Sequence, residues 1–334
     1  MLLSDFDFEL PEELIATRPA SPRSSARLLV ANGDKIYDSF VDNLPKFLKS
    51  GDRLVLNDTK VLPARLNGVR IRSIKSSRIS SAKIEVTLLA SKQKRIWSAL
   101  IKPLRKVKLG ETIHFNNSFK AKLIEKVHGQ GLLEFNSDGS EFMRHLEDLG
   151  LMPLPPYIAS KRKADNYDKL DYQTVFAKNL GSVAAPTASL HFDDALLDEI
   201  RNIGVEISFV TLHVGAGTFL PVKDEDIKKH KMHAEYGEIS QQTVEEIKKT
   251  KKNGGRIIPV GTTALRLLET AALSTGKVSK WHGETDIFIY PGFKFKVADG
   301  LMTNFHLPKS TLIMLVSALT SKETIETIYK HAIR

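Results

Sequence analysis

The spacing of apolar residues changes along the chain, and this change limits the possible folds more than any other feature of the sequence. From about residue 65 to residue 136 the apolar residues alternate with polar ones, as in AKIEVTLLA and KAKLIEKV, and Gly or Asn separates the runs. A period of two is typical of half-buried strands, and nothing in this segment has helical spacing. Several short strands in about seventy residues predict a small antiparallel β-barrel or sandwich.

Before and after this segment, predicted strands alternate with predicted helices. Helices are predicted in DDALLDEIRNIG, SQQTVEEIKKTKKNGG, TTALRLLETAAL and KSTLIMLVSAL and, as shorter ones, in PEELIATR and DNLPKFLK; strands are predicted in RLLVA, RLVLN, VEISFVTLHV, RIIPV and DIFIY. This alternation is typical of a mixed or mainly parallel sheet that helices cover on both faces. We therefore predict a discontinuous α/β domain, residues 1–62 and 141–334, into which a basic β-barrel domain, residues 63–140, is inserted.

The positive charge of the chain is concentrated in the predicted β-barrel domain. The whole chain has 49 Lys and Arg against 39 Asp and Glu, a formal net charge of +10. Between Val61 and Gln130, 16 basic residues stand against three acidic ones (+13), which leaves 33 basic and 36 acidic residues (−3) for the remainder. Such a segment favours a polyanionic partner, most often nucleic acid. A lysine-rich, solvated β surface is the alternative.

Two features bear on where the protein works. The chain has no cysteine, which excludes a disulfide framework and a thiolate metal site. The first residues lack the basic-then-apolar pattern of a secretory signal, and apolar runs such as residues 310–319 are about half as long as a membrane-spanning helix. We therefore expect a cytoplasmic protein without a membrane partner.

Small or polar residues follow the predicted strands, at the points where ligands bind in open α/β sheets. Asp58 and Thr59 follow one strand, with Arg65 shortly after, and Gly261-Thr262-Thr263 follows another and begins a helix that Thr262 or Thr263 would cap. VTLHVGAGTFLPV, residues 210–222, ends a strand in a histidine and a Gly-x-Gly turn. This turn fits neither a dinucleotide fingerprint, since leucine replaces the third glycine, nor a Walker loop, since no Gly-Lys-Ser/Thr follows. A tight corner is the structural alternative.

Further candidates lie in three short segments. In GSVAAPTASLHF, Ser182, Thr187 and His191 are potential hydrogen-bonding groups among small residues that would admit a planar ligand; packing on the next helix is the alternative. HKMHAE contains His233 and Glu235, which favour acid–base use over a metal site because AEYG is strand-like. His306 precedes a helix that Pro308 would open, and a helix N-terminus lowers the proton affinity of a histidine. A histidine bonded within the core is the alternative.

Ten segments extend in order over almost the whole chain: RLLV, GDRLVLNDTKVLPARL, PLPPYI, YQTVFA, GSVAAPTASLHF, VTLHVGAGTFLPV, HKMHAE, IIPVGTTALRLLE, TDIFIYPGF and TNFHLPKSTLIMLVSAL. Together they closely resemble the S-adenosylmethionine:tRNA ribosyltransferase-isomerase family of queuosine biosynthesis. The resemblance implies transfer of the ribosyl group of S-adenosylmethionine to an aminomethyl-deazaguanine at the wobble position of certain tRNAs. Isomerisation of that ribose would give epoxyqueuosine, with release of adenine and methionine.

The resemblance also implies partners, and the chemistry of the implied reaction suggests roles for the candidate residues. The partners would be this tRNA and S-adenosylmethionine as co-substrate, with no metal and no redox cofactor, and we expect a monomer. His213, His233 and His306 would move protons, with Glu235 orienting one of them. The residues that would hold the co-substrate or other substrate groups are Asp58, Thr59, Arg65, Ser182, Thr187, His191, Gly215, Gly217, Thr218, Gly261, Thr262 and Thr263.

Two positions depart from the family's usual pattern, with Ser189 in place of a glycine and Ala264 in place of a serine. The first would constrain the backbone if a positive φ were needed there, and the second removes a hydroxyl. Two other functions remain open at this point. A methyltransferase that acts on tRNA would yield S-adenosylhomocysteine, and a non-catalytic RNA-binding protein would use the basic segment alone.

Overall fold

The chain enters a second structural unit before it has completed the first. A computed structural model describes residues 1–74, 78–127, 129–215, 222 and 224–334. Met1–Lys60 and Gln173–Arg334 form one unit, here called the α/β unit, and Val61–Tyr172 form the other, here called the barrel unit.

The first sixty residues supply a hairpin and one strand of the central sheet. β1 (Arg27–Asn32) pairs antiparallel with β2 (Lys35–Phe40). β3 (Arg53–Asn57) is buried at every position, as expected for a strand covered on both faces. β4 (Thr59–Val61) follows it and leads into the barrel unit.

Two helices predicted in this part of the chain are 3₁₀ turns instead. PEELIATR contains only the turn Glu12–Leu14, and DNLPKFLK lies in the turn Val41–Phe47. Pro45 lies inside the second turn, where it supplies no N–H for an α-helical hydrogen bond. The apolar residues of that turn, Val41 and Leu44, are still buried in the core. Periodicity therefore gave the buried face correctly but not the type of helix.

The barrel unit contains a closed antiparallel barrel with strand order β10-β7-β6-β5-β8-β9. Its strands are β5 (Arg65–Ile74), β6 (Arg78–Gln93), β7 (Ile96–Lys102), β8 (Thr112–His114), β9 (Lys120–Val127) and β10 (Gln130–Phe135). Alternate side chains such as Leu66, Ile84 and Leu123 point inward and are fully buried, which is the period of two seen in the sequence. The predicted antiparallel β-barrel is confirmed.

Three helices follow the barrel strands within the same unit: α1 (Gly139–Leu149), α2 (Pro156–Ala159) and α3 (Asp168–Asp171). Phe142 of α1 stacks on Trp97 of β7 at 5.3 Å between ring centroids and meets Phe135 of β10 edge-on at 5.0 Å. Arg65 and Leu151 form a backbone bridge. These contacts group residues 141–172 with the barrel, whereas the sequence analysis assigned them to the α/β domain, because helical spacing alone does not say which core a helix packs on.

After residue 172 the chain completes the α/β unit. The strands are β11 (Asn179–Ser182), β12 (Glu206–His213), β13 (Glu235–Ile239), β14 (Ile257–Pro259) and β15 (Trp281–Thr285), and the helices are α4 (Asp194–Asn202), α5 (Gln241–Lys252), α6 (Thr262–Ala272), α7 (Thr311–Leu319) and α8 (Lys322–Ile333). The central sheet has the order β14-β3-β12-β13-β15. β14, β3 and β12 are parallel, while β13 pairs antiparallel with both of its neighbours. The predicted α/β fold with a mixed sheet is confirmed.

Two local predictions in this part of the chain are wrong. DIFIY is not a strand, since the strand next to it is WHGET, which pairs with β13. Its apolar residue Ile289 is buried in a core cluster instead, together with Leu265 and Met314. The helix of TTALRLLETAAL is preceded by Gly261 as its N-cap, with φ +91°, and not by a threonine. No helix in the described ranges is long and apolar enough to cross a membrane.

Candidate active site

One buried amide joins three elements at the carboxyl edge of the parallel strands. Asn57, at the end of β3, donates from Nδ2 to the Leu212 carbonyl at 3.0 Å and to Thr263 Oγ1 at 3.2 Å. Its Oδ1 accepts from the Leu212 N–H at 3.0 Å. The ends of β3 and β12 and the first turn of α6 are thereby fixed to one another. Asn57 is the last residue of the predicted strand RLVLN, but it is not among the predicted site residues.

His213 ends β12 at this edge and is held in one orientation. Its Nδ1 lies 2.8 Å from Thr59 Oγ1, and that hydroxyl donates to the Asn179 carbonyl at 3.5 Å. The hydroxyl therefore accepts from Nδ1–H, which leaves Nε2 without a proton in the neutral ring. Burial lowers the pKa of His213 below its usual range, while the Asp58 carboxylate opposes this shift more weakly. His213 is thus a neutral base near pH 7.

Gly181 is required for this position of the imidazole. A Cβ on residue 181 would lie 2.9 Å from both Cε1 and Nε2 of His213, closer than carbon atoms approach. The absence of a side chain lets the ring lie against the backbone of β11. Gly181 is the first residue of the segment GSVAAPTASLHF, but it is not among the predicted site residues.

The Asp58 carboxylate is engaged within the protein. Thr211 Oγ1 donates to its Oδ1 at 2.6 Å, and Asn179 Nδ2 donates to both oxygens at 3.0 and 3.1 Å. These bonds hold a negative charge beside His213. That Asp58 and Thr59 also hold substrate groups stays a prediction.

Ser182 is fully buried and positions a turn. Its hydroxyl donates to the Ala184 carbonyl at 2.7 Å and accepts from the Val214 N–H at 3.0 Å. The residue that follows His213 is therefore tied to the segment that follows β11. Thr187 begins a 3₁₀ helix, Thr187–His191, next to this turn.

Glu235 and Arg266 form a buried ion pair beside the end of β12. Glu235 Oε1 also accepts from the Gly215 N–H at 3.3 Å, and Arg266 Nε donates to the Ile287 carbonyl at 3.3 Å. The carboxylate thereby holds the first glycine of the Gly-x-Gly turn. Gly217 and Thr218 lie outside the described residues. Arg266 is not among the site residues predicted from the sequence, although it follows Thr262 by one helical turn.

The segment HKMHAE does not converge on one point. His233 is exposed, and the His230 ring meets Phe288 edge-on at 5.5 Å. Burial lowers the pKa of His230 below its usual range. Within the described ranges, no group of three or more His, Asp or Glu residues is arranged to hold a metal ion.

His306 is held by other contacts than those predicted. α7 begins at Thr311 with Ser310 as its cap, so Pro308 does not open the helix and no helix N-terminus lies at His306. Burial lowers the pKa of His306 to about 4. Its Nε2 lies 3.2 Å from Thr303 Oγ1, and its backbone N–H donates to Tyr329 Oη at 2.8 Å. The expected low proton affinity is present, but desolvation causes it.

The N-terminus of α6 meets the segment that contains His306. The Gly261 N–H donates to the Met302 carbonyl at 2.8 Å, and Val260 forms a parallel bridge with Met302. Two residues further on, Asn304 Nδ2 lies 2.9 Å from His191 Nε2. The 3₁₀ helix that carries His191, the start of α6 and residues 302–306 therefore lie together.

The two departures from the family pattern are tolerated by the backbone. Ser189 lies in the 3₁₀ helix and is not among the residues with positive φ, so replacing glycine there causes no backbone strain. Its hydroxyl is buried with no hydrogen-bond partner in the described part of the chain. Ala264 is fully buried on α6 in the sheet-facing core.

Arg65 belongs to the barrel unit, where it forms an ion pair with Glu85. Its predicted contact with substrate groups stays a prediction.

An α/β unit interrupted in sequence by a closed antiparallel barrel is the class of fold that these elements define. A solved member is the S-adenosylmethionine tRNA ribosyltransferase of Thermotoga maritima, which is 31% identical to this chain with a TM-score of 0.53. That comparison covers 98% of this chain and 94% of the other.

Sequence relatives give the family. The family model described as "Queuosine biosynthesis protein" matches residues 3–334. Proteins named S-adenosylmethionine:tRNA ribosyltransferase-isomerase from Ruegeria sp. (strain TM1040) and Ruegeria pomeroyi are 60% and 62% identical, and each comparison covers 100% of this chain and 95% of the relative. The chain therefore belongs to the queuosine biosynthesis family of S-adenosylmethionine:tRNA ribosyltransferase-isomerases.

Proposed function

We propose that this protein transfers and isomerises the ribosyl group of S-adenosylmethionine onto an aminomethyl-deazaguanine at the wobble position of tRNA. The products are epoxyqueuosine-tRNA, adenine and methionine. The observation that carries the proposal is a neutral histidine, His213, fixed through Nδ1 at the strand-end edge of a chain that matches this family over its whole length.

The chemistry asks for a base that is unprotonated near neutral pH. The sulfonium of S-adenosylmethionine acidifies the ribose carbon bonded to sulfur, and His213 Nε2 accepts the proton from that carbon. Departure of adenine and attack by the amine of the tRNA base then require positioning of the ribose against both groups. Glu235 and Arg266 support this by holding Gly215 at the end of β12.

The tRNA partner is supported by exposed basic residues of the barrel unit. Arg105, Lys106 and Lys108 follow β7 and are exposed, and Lys126 Nζ lies 3.4 Å from the Leu104 carbonyl beside them. The nearby Glu111 is bound by Arg72, which lowers the pKa of Glu111 to about 2. We propose that this group of cations, here called the barrel cluster, binds phosphates of the tRNA.

Product analysis separates the proposed function from its rivals. The purified protein is incubated with S-adenosylmethionine and tRNA that carries the aminomethyl-deazaguanine, and small molecules and digested tRNA are analysed by mass spectrometry. The expected result is equimolar adenine and methionine together with epoxyqueuosine. The control is the same tRNA with unmodified guanine at the wobble position, which should give none of these products.

Two outcomes would contradict the proposal. S-adenosylhomocysteine and a methylated nucleoside would indicate a methyltransferase. Tight tRNA binding with unchanged S-adenosylmethionine would indicate a non-catalytic RNA-binding protein.

A further inference from the structure

We propose that Asn304 recognises the adenine base of S-adenosylmethionine, with its side-chain Oδ1 accepting a hydrogen bond from the exocyclic 6-amino group. This inference rests on the proposed function for the identity of the ligand. It assigns a specificity-determining role to a residue outside the set predicted from the sequence.

Asn304 lies at the same edge of the α/β unit as the other candidate residues. Two residues before it, Met302 binds the N–H of Gly261 at the start of α6. A Cβ on Gly261 would lie 3.8 Å from the Ala188 Cβ, which places the 3₁₀ helix of His191 beside this turn. Asn304 is therefore held between the start of α6 and that 3₁₀ helix.

One end of the Asn304 amide is fixed and the other end is unpaired. Nδ2 lies 2.9 Å from His191 Nε2. Oδ1 is buried and has no hydrogen-bond partner among the described residues. A buried carbonyl oxygen without a donor is unfavourable, and such an atom in a native protein calls for a partner. A bound ligand that supplies a donor fills this requirement.

The direction of the bond to His191 follows from the state of the ring. Burial and the nearby Arg23 charge both lower the pKa of His191, which keeps the imidazole neutral near pH 7. A neutral ring accepts at one nitrogen, and here Nε2 faces the amide nitrogen. The amide thus donates to His191, and Oδ1 is the atom directed elsewhere.

The chemistry of S-adenosylmethionine narrows the choice of donor. Its neutral donors are the two ribose hydroxyls and the 6-amino group, while its α-ammonium is a cation that an anionic partner binds more strongly than a neutral amide oxygen does. The ribose must face His213 for the proposed reaction, which leaves the 6-amino group for Asn304. Asparagine pairs with adenine through the 6-amino group and N7, and the second hydrogen on Nδ2 is available to N7.

The neighbouring side chains suit a planar base. The segment before His191 contains Ala184, Ala185 and Ala188, whose side chains are single methyl groups. Small residues allow a flat ring to approach the chain closely.

The test compares two ligands that differ at the 6-position. Dissociation constants of S-adenosylmethionine and of its 6-oxo analogue, in which a carbonyl replaces the amino group, are measured by calorimetry without tRNA. Wild type should prefer S-adenosylmethionine by at least about a hundredfold, because the 6-oxo group brings an acceptor to Oδ1. Asn304→Ala should reduce this preference to below about threefold.

Two further variants separate recognition from loss of structure. Asn304→Asp keeps an acceptor oxygen and should retain a preference of about tenfold or more for the amino compound. Ser189→Gly removes a buried, unpartnered hydroxyl two residues from His191 and should leave the preference unchanged. Thermal melting identifies any variant that is unfolded. If Asn304→Ala is unfolded, the ligand preference of Asn304→Asp decides whether Asn304 recognises the 6-amino group.

The outcomes for the two proposals are distinct. A folded Asn304→Ala variant with the wild-type preference overturns the assignment of Asn304, and so does loss of the preference in Ser189→Gly. Turnover is followed separately with tRNA. Wild-type protein that shows the ligand preference but releases no adenine overturns the proposed reaction and leaves adenine recognition standing.

Discussion

Single residues in this protein owe their chemistry to partners that are distant in sequence. His213 is oriented by Thr59, 154 positions away, and Asn57 binds Leu212 across 155 positions. The residue types were evident from the sequence, since histidine, threonine and asparagine at strand ends favour a ligand site. Their hydrogen bonds were not, because a linear pattern does not say which strand ends are neighbours. The helix start predicted at Pro308 shows the same limit, since Ser310 caps α7 and burial alone explains the low pKa of His306.

At the residue scale we predict that His213→Ala lowers the single-turnover rate of adenine release by roughly a hundredfold or more, the usual effect of removing a general base. The base acts unprotonated, and burial lowers the pKa of His213. The wild-type rate should therefore be highest near pH 8 and fall to half of that value only below about pH 6.5, the ordinary pKa of histidine. Rates are measured by chromatography of adenine between pH 5 and 8.

His282→Ala is the matched control, because His282 is an exposed histidine on β15. It should keep the wild-type rate. A folded His213→Ala variant with the wild-type rate would remove His213 from the proton transfer.

At the scale of elements, the helix α6 connects the candidate site with the core. Its N-terminus borders the site, Arg266 pairs with Glu235, and one turn later Glu269 binds three backbone N–H groups. The helix was predicted from its apolar period, and its observed bounds, Thr262–Ala272, agree with that pattern. The prediction of a strand in DIFIY was wrong because a short apolar run does not distinguish a strand from another buried segment. The strand that pairs with β13 is WHGET, directly before DIFIY.

At this scale we predict that Glu269→Ala lowers the free energy of unfolding by about 3 kcal/mol, since a fully buried carboxylate that accepts several hydrogen bonds is lost. Its oxygens accept from the N–H groups of Lys296, Val297 and Ala298 at 2.8 to 3.1 Å. Urea denaturation followed by circular dichroism measures the change.

Glu245→Ala supplies the comparison. Glu245 is exposed on α5 and accepts a hydrogen bond from Gln241 on the same helix, so its loss should cost less than about 0.5 kcal/mol. Equal effects of the two substitutions would show that Glu269 does not hold residues 296–298.

For the whole molecule, charge divides along the same line as the fold. The barrel unit, Val61–Tyr172, has 21 basic and 11 acidic residues, whereas the α/β unit has 28 of each. The barrel unit thus accounts for the entire net charge of +10. Sequence patterns predicted both the barrel and its charge, because alternation and charge are local properties of the chain. The extent of the barrel unit was not predicted, because the ring contacts that join helix α1 to Trp97 and Phe135 are not visible in the apolar spacing of the helix.

If the barrel cluster binds tRNA phosphates, reversing two of its charges must change the salt dependence of binding. We predict that Arg105→Glu with Lys108→Glu weakens tRNA binding by tenfold or more at about 100 mM salt. It should also reduce the slope of log Kd against log salt concentration by about 1.4 to 1.8, because each of the two lost phosphate contacts removes about 0.7 to 0.9. The control, Lys277→Glu with Lys280→Glu, makes the same change in net charge at exposed positions of the α/β unit. Fluorescence anisotropy measures tRNA binding by both variants from 50 to 300 mM salt, because interactions between surface charges are increasingly screened over this range. Equal weakening of tRNA binding in the two variants would mean that net charge, and not the barrel cluster, governs binding. If only the barrel variant binds tRNA more weakly, and its binding of S-adenosylmethionine is unaltered, the phosphate contacts lie on the barrel unit.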